Sequence, residues 1–297
     1  MEDPVGINAP QTDAQTGGFG SVESDSSALS DDVEKETNFS GTIVVKIGGS
    51  TLGSHDTTLR DLVTLQRQGI NSIVVHGGGK IISDWMAKQG VMPRFVQGLR
   101  VTDEPSLDIV VAVLTGLINK NLVASMFELG ARSIGLSGAD DAMLRANIRD
   151  PELGLVGDIV DVNTHPIYTA LKSGYIPVIA PVGVKSTEGG SGSPTLLNIN
   201  ADTAAGEIAA AIGASRLVFL TDVQGVLDTS RRLIPRLTER QARGLINSNV
   251  AAGGMIPKLE ACLTALHSGG VSHIVDGRKP SALMDVISGK TLGTRIG

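Results

Sequence analysis

Ile43-Val44-Val45-Lys46-Ile47-Gly48-Gly49-Ser50 decides the fold. A run of β-branched residues reads as a buried strand. The two glycines and the hydroxyl that end it let backbone N–H groups approach an anion closely. Lys46 lies inside the apolar run, four residues before Ser50. A buried lysine requires a negative partner, and beside a glycine turn phosphate is a natural one. On this stretch alone, a lysine snorkelling from an edge strand reads equally well.

Outward from this strand, apolar residues at Leu59, Leu62, Val63 and Leu65 predict a helix closed by Gly69, with Asp56 or Thr57 as its cap. Residues 72–76 form a second apolar strand ending in Gly77-Gly78-Gly79, and another helix begins near Lys80. Strand, helix, strand, helix at this spacing predicts βαβ units on a parallel sheet. Ligands in such sheets bind beyond the carboxyl ends of the strands, so the two glycine turns are expected to face one crevice. Further on come a short β excursion over 92–102 carrying Arg94 and Arg100, a long helix from Pro105 to about Leu129, and an antiparallel ribbon over 143–162. The strand over 176–180 closes the first half. The second half opens on Leu196-Leu197-Asn198-Ile199-Asn200-Ala201-Asp202 and an alanine-rich helix. Strands over 217–220 and 272–275 and helices over 238–247 and around Lys258 follow.

Composition narrows the class. The 297 residues carry a formal charge of −6, but residues 1–40 hold nine acids against one lysine, which leaves +2 for residues 41–297. The acidic stretch is too polar to offset chain entropy and is expected to be a disordered tail. A near-neutral body lacks the basic face that nucleic acid requires. One cysteine, Cys262, excludes an intramolecular disulfide and suits a reducing cytoplasm. No apolar run is read as long enough to span a bilayer. His55, His76, His165, His267 and His273 show no metal-ligand spacing, so no protein metal site is expected. The phosphate loop GxxxxGK[ST], the dinucleotide fingerprint GxGxxG after the first strand and the serine elbow GxSxG are absent.

What remains is a set of glycine turns, two well-placed lysines and one conspicuous acid. That combination suits phosphoryl transfer without a covalent intermediate, where catalysis is positioning plus electrostatic stabilisation. A single acid between two lysines would fix both side chains. Plainer readings stand beside this one. Asn198 and Asn200 fit turn formers, Asp202 fits a helix N-cap, and Arg100 fits a surface partner of Asp103 or Glu104. Lys258 fits a first-turn residue, although a cation there opposes the helix dipole.

The motifs VVKIGGS (44–50), VVHGGGK (74–80), GLRVT (98–102), LLNINAD (196–202), LTDVQGV (220–226) and GGMIPKLEA (253–261) occur in order. Together they closely resemble the acetylglutamate kinases of the amino acid kinase superfamily, over about residues 41–297. The resemblance implies an αβα sandwich around a mainly parallel open sheet in two lobes. Residues 41–182 would form an N-terminal lobe for the amino-acid substrate and dimerisation, and 183–297 a C-terminal ATP lobe. It implies that Lys46 and Lys258 stabilise the transferring phosphoryl group and that Asp202 organises them. Gly48 and Gly49 would meet phosphate oxygens. Gly78, Gly79, Arg100, Asn198 and Asn200 would hold acetylglutamate, with Arg100 forking a carboxylate. Asp222, Val223, Gln224, Gly225, Val226, Val250, Ala251, Ala252 and Gly253 would line the ATP site. Mg2+ would be held mostly by the ATP phosphates.

A sister kinase for another acidic amino acid derivative, such as a carrier-linked aminoadipate, and a catalytically silent nucleotide or arginine sensor are the rival readings. Retention of both lysines and Asp202 argues against the second. The resemblance also implies a homodimer or larger homo-oligomer, hexameric where an extra N-terminal helix is present; residues 1–40 show no amphipathic period for one. Residues 275–294 resemble the arginine-binding end of inhibited relatives, but Ser281 stands where a histidine is usual and Val286 where an acid is usual. Weak or no inhibition by arginine is therefore expected.

Overall fold

Five consecutive buried residues make β1 (Ile43–Ile47) a strand covered on both faces, not an edge strand. The computed structural model describes residues 41–48, 57–96, 98–186 and 195–297; the acidic tail and the glycine- and serine-rich run 189–193 lie outside them. After β1 come α1 (Thr58–Arg67), β2 (Ser72–His76) and α2 (Gly79–Lys88). A hairpin of β3 (Phe95–Val96) and β4 (Leu99–Arg100) precedes one continuous helix. In it, α3 (Glu104–Val111) and α4 (Asn119–Glu128) are joined by a π-helical stretch, Ala112–Ile118. Next are β5 (Ser133–Ser137), β6 (Leu144–Ile148), β7 (Val156–Val162), α5 (His165–Lys172), β8 (Ile176–Ala180), β9 (Val182–Lys185) and β10 (Leu196–Ile199). The chain ends with α6 (Ala201–Ala211), β11 (Arg216–Thr221), β12 (Arg236–Leu237), α7 (Glu239–Asn247), α8 (Met255–Leu266), β13 (Val271–Asp276), α9 (Ala282–Ile287) and β14 (Thr294–Ile296).

Eight strands form one sheet in the order β12-β14-β13-β11-β1-β2-β8-β5. All its pairings are parallel except β13 with β14. Strands from both halves of the chain share this sheet, and β1 lies between β2 and β11. The period-2 alternation of a strand then sorts the side chains of β1. Ile43, Val45 and Ile47 join a core with α1, α2, the long helix and α9. Val44 joins the opposite core with α5, α6, α7 and α8. Lys46 shares the Val44 face by the same alternation, which aims it at α6. The sheet is thus the middle layer of an αβα sandwich. β6, β7, β9 and β10 close into a small four-stranded barrel beside it.

Two local expectations change. Thr57 does stand at the N-cap of α1, but its hydroxyl accepts from the Ser281 N–H at 2.7 Å instead of capping its own helix. Glu104–Glu128, with a mean hydropathy of 1.7 over its most apolar window, is long and apolar enough to cross a bilayer, where the sequence reading found no such run. One face of it, with Val110, Val113, Leu114, Ile118 and Met126, is buried in the core under the sheet, whereas Leu117 and Phe127 are exposed.

Candidate active site

The carboxyl ends of β1 and β2 lie side by side, and the Gly77 N–H donates to the Ile47 carbonyl at 3.0 Å. Gly77, Gly78 and Gly79 line a crevice beside the end of β1, and the turn that follows Gly48 lies outside the described residues. Lys46 reaches across the crevice to α6. The helix is capped by Asn200, whose Oδ1 accepts from the N–H groups of Asp202 (2.9 Å) and Thr203 (3.1 Å). This assigns the N-cap to Asn200 and frees the Asp202 side chain for another task.

Asp202 splits its carboxylate between two ammonium groups. Oδ1 lies 2.7 Å from Lys46 Nζ, and Oδ2 accepts from Lys258 Nζ at 2.9 Å. The Asp202 side chain is only 8% exposed, against 10% for Lys46 and 17% for Lys258. Burial opposes ionisation of Asp202, but the attraction of Lys46 and Lys258 outweighs it and holds the carboxyl below the usual range. Packing explains why Lys258 arrives here. A Cβ on Gly206 of α6 would sit 2.7 Å from the Ala261 Cα of α8. Small residues thus bring the two helix axes close, and Lys258, one turn before Ala261, falls beside Asp202 one turn before Gly206.

Next to this triad is a cleft of about 210 Å³ lined by Lys46, Gly77, Gly78, Gly79, Arg100, Asn198, Asn200 and Asp202, with Ile82, Phe95, Leu114, Val156 and Pro181 as apolar wall. Gly78 is small by necessity, since a Cβ there would meet Ile118 at 2.6 Å and Leu114 at 2.9 Å, both from the π-helical stretch. The first turn of α2, which has no side-chain cap, borders the same space, which favours an anion. Arg100 is 7% exposed and donates to the Gly79 carbonyl and Ser83 Oγ, each at 2.9 Å, and lies 4.7 Å from the Phe95 ring centre. Neither Asp103 nor Glu104 pairs with it; the Asp103 side chain caps α3 through the Ser106 N–H. Burial lowers the Arg100 pKa, and no carboxylate among the described residues forms an ion pair with it. A buried guanidinium without a counter-ion is a strong carboxylate receptor.

The other sequence-derived positions are spread more widely. The Gly48 N–H donates to the Leu220 carbonyl at 3.2 Å, continuing the β1–β11 ladder, and Gly49 lies outside the described residues. Asp222, Val223 and Gln224 are exposed at the carboxyl end of β11, beside β1. Gly225 and Val226 are buried, and the Val226 N–H donates to Thr294 Oγ1 at 2.8 Å. Val250, Ala251, Ala252 and Gly253 lead into α8, and the Ala251 side chain belongs to the core. None of the described residues among these lines the 210 Å³ cleft.

The sequence reading missed two supports. Thr102 is fully buried and accepts from Asn198 Nδ2 at 3.0 Å, so the last residue of GLRVT holds the asparagine of LLNINAD. Asn119, 1% exposed, donates to the Val178 carbonyl at 2.8 Å and meets His76 Nε2 at 3.2 Å, while its Oδ1 accepts from Lys120 at 3.0 Å. Burial, with Lys46 and Lys120 nearby, pushes His76 down to about 4, so the ring under the glycine turn is neutral. Asn119→Ala should leave the Val178 carbonyl and the His76 ring without this donor. A loss of about 1–3 kcal/mol in unfolding free energy is expected, read from urea denaturation monitored by circular dichroism.

Comparison with known proteins gives the same direction. The model of the amino acid kinase family matches residues 41–276. An acetylglutamate kinase of Dehalococcoides mccartyi is 45% identical over 254 residues, covering 86% of this chain and 93% of the relative. One from a Nostoc species is 42% identical over 264 residues, covering 86% and 87%. Among solved structures, the smu.665 protein of Streptococcus mutans aligns with a TM-score of 0.73 at 30% identity, over 86% of this chain and 98% of that one. With the family model matched over residues 41–276 and relatives above 40% identical covered over nearly their whole length, the chain belongs to the amino acid kinase family.

Proposed function

We propose that this chain transfers the γ-phosphoryl group of ATP to the side-chain carboxylate of N-acetyl-L-glutamate, giving N-acetylglutamyl 5-phosphate and ADP, the second step of arginine biosynthesis. The observation that carries the reading is the Lys46–Asp202–Lys258 triad next to a cleft holding an unpaired, buried Arg100. The names of the two relatives support the choice of acceptor.

In this reading Arg100 and the first turn of α2 hold a carboxylate of the acceptor. An ionised carboxylate oxygen attacks the γ-phosphorus, the bond from that phosphorus to the β,γ-bridging oxygen breaks, and ADP leaves with the electron pair. No proton has to be removed from the nucleophile, so no general base is needed. Asp202 suits this chemistry because both of its oxygens are engaged by ammonium groups and its carboxyl is held ionised. It organises cations and does not accept a proton. Among the described residues no group of three His, Cys, Asp or Glu side chains gathers to hold a metal. In this reading magnesium accompanies ATP and is held mostly by its phosphates. ATP itself approaches from the C-terminal half, past Asp222–Val226 and Val250–Gly253, and the division into lobes at about residue 182 follows from that. The setting proposed is the cytoplasm, in keeping with one buried cysteine.

A coupled assay of ADP release with ATP and acetylglutamate tests the function. Turnover is expected with acetylglutamate, and none with it but turnover on another acidic amino acid derivative would move the chain to a sister specificity. Arg100→Ala should raise KM for acetylglutamate about tenfold or more, with little change in KM for ATP, because a charged hydrogen-bond donor to one substrate is lost. Arginine is expected to inhibit weakly or not at all. Val286 is 1% exposed in the core, and Asp285, its acidic neighbour, is already paired with Lys290 at 2.6 Å. Adding millimolar arginine to the same assay should leave the rate near its starting value.

A further inference from the structure

His76 is the last residue of β2 and stands directly before Gly77 and Gly78, yet no step of the proposed reaction uses it. It is fully buried. Its Nε2 faces Asn119 Nδ2 at 3.2 Å, and its Nδ1 lies 3.4 Å from the Gly77 carbonyl oxygen. The neighbours of Asn119 decide which ring nitrogen carries the proton. Lys120 Nζ can only donate, and it lies 3.0 Å from Asn119 Oδ1, which fixes that oxygen toward Lys120. A Cβ on Gly135 would collide with both atoms, so β5 leaves room for this pair. The amide nitrogen must then face the other way, where it donates to the Val178 carbonyl at 2.8 Å and to His76 Nε2. Nε2 is therefore the acceptor. The buried ring is neutral, so its one proton sits on Nδ1 and is donated to the Gly77 carbonyl.

The peptide unit that joins Gly77 to Gly78 needs such a hold. It is trans, so its carbonyl and its N–H point in opposite directions. Neither flanking residue has a Cβ, so the unit can rotate between its two Cα atoms at little steric cost. Leu114 and Ile118 press where a Gly78 Cβ would stand, which limits the Cα but leaves that rotation open. Gly77 and Gly78 line the reaction cleft, and His76 does not. With the Gly77 carbonyl held on the His76 side, the Gly78 N–H is aimed the opposite way, and no backbone carbonyl among the described residues accepts it.

We propose that His76 is a positioning residue: its Nδ1–H holds the Gly77 carbonyl and so keeps the Gly78 N–H turned into the reaction cleft, ready to donate to the acceptor carboxylate. This role rests on the acceptor binding at Gly78, as proposed above. A donor oriented before its ligand arrives loses no further freedom when the ligand binds. The relay runs from Lys120 through Asn119 and His76 to Gly77, and each member is set by the one before it.

Two measurements on the full chain test this. In the ligand-free protein carrying isotope-labelled histidine, proton–nitrogen correlation spectra near neutral pH should show the His76 ring as the neutral Nδ1–H tautomer, its signals assigned by their loss in a His76 variant. Histidine in water favours the other neutral tautomer, so this signature reports the hydrogen bonds and not burial. In the coupled assay, His76→Gln should raise KM for acetylglutamate about tenfold, the worth of one hydrogen bond to a charged group, with KM for ATP little changed. A glutamine amide falls where Nε2 stands and leaves the Gly77 carbonyl without its donor. An asparagine amide falls where Nδ1 stands, so His76→Asn should recover most of that loss. A merely structural role predicts the reverse order, because asparagine leaves the larger cavity. An Nε2–H or doubly protonated ring would overturn the proposal, as would KM for acetylglutamate in His76→Asn equal to or above that in His76→Gln. If one variant fails to fold, the ring spectrum decides. The spectrum needs no substrate, so a parent chain that does not turn over acetylglutamate would sink the proposed reaction while the tautomer still decides on His76.

Discussion

Lys46→Ala should lower kcat about 10²–10³-fold while moving KM for acetylglutamate far less, and Lys258→Ala should act in the same direction. The reason is where the charge develops. In phosphoryl transfer the negative charge spreads over the equatorial and bridging oxygens as the bonds change. Two preorganised ammonium groups at the edge of the cleft stabilise that charge and cost little reorganisation, because Asp202 already holds them. An interaction stronger in the transition state than in the ground state is read in kcat. Lys46→Arg should not restore full activity. Its planar fork cannot take the place of a point charge 2.7 Å from Asp202 in a side chain only 10% exposed. Steady-state kinetics on these variants, with circular dichroism to show that they fold, is the measurement. Near-normal kcat in both Lys46→Ala and Lys258→Ala would remove the two lysines from phosphoryl transfer.

How far the residues alone led can be argued from particular elements. The apolar runs in 43–47 and 72–76 and the glycines after each were enough for two parallel strands, and β1 and β2 pair that way. The helix over 238–247 carried its start in plain form, since Thr238 and Gln241 make a capping box. By contrast β12 has two residues and β14 three, too few for any period to show, and both are held by the edge of a sheet that the sequence does not display. The π-helical turn at Ala112–Ile118 is invisible to a 3.6-residue pattern, yet it presses Leu114 and Ile118 against Gly78. Asn119 follows that turn on an otherwise apolar helix, and its partners come from β2, β5 and β8. Such a contact has no local signature. Asn200 and Asp202 were legible as a helix start, but which of them caps depends on whether Lys46 and Lys258 claim the other. That is a tertiary fact.

The largest non-additivity should come from Asp202. Asp202→Asn keeps the shape but removes the charge that holds both ammonium groups, so both cations lose their positions at once. A fall in kcat of about 10²-fold or more is expected, similar to loss of one lysine outright. The double variant Asp202→Asn with Lys258→Ala should then cost much less than the product of the two single effects, because groups that act as a unit fail as a unit. Stability should move differently. Asp202→Asn leaves two largely buried ammonium groups facing each other without a counter-charge, a loss of roughly 3–5 kcal/mol for a buried pair broken on one side. Removing Lys258 as well relieves part of that repulsion, so the double variant is expected to be more stable than Asp202→Asn alone. The sign of the pH effect follows from the depressed carboxyl of Asp202 in the folded chain. Its contribution is complete above the ordinary carboxylate range and fades as the pH falls through the folded value. In the parent chain, kcat should therefore show no acid limb from Asp202 above about pH 4. The kinetic and denaturation cycles use the same four proteins, and multiplicative kcat effects would show that Asp202 and Lys258 act independently.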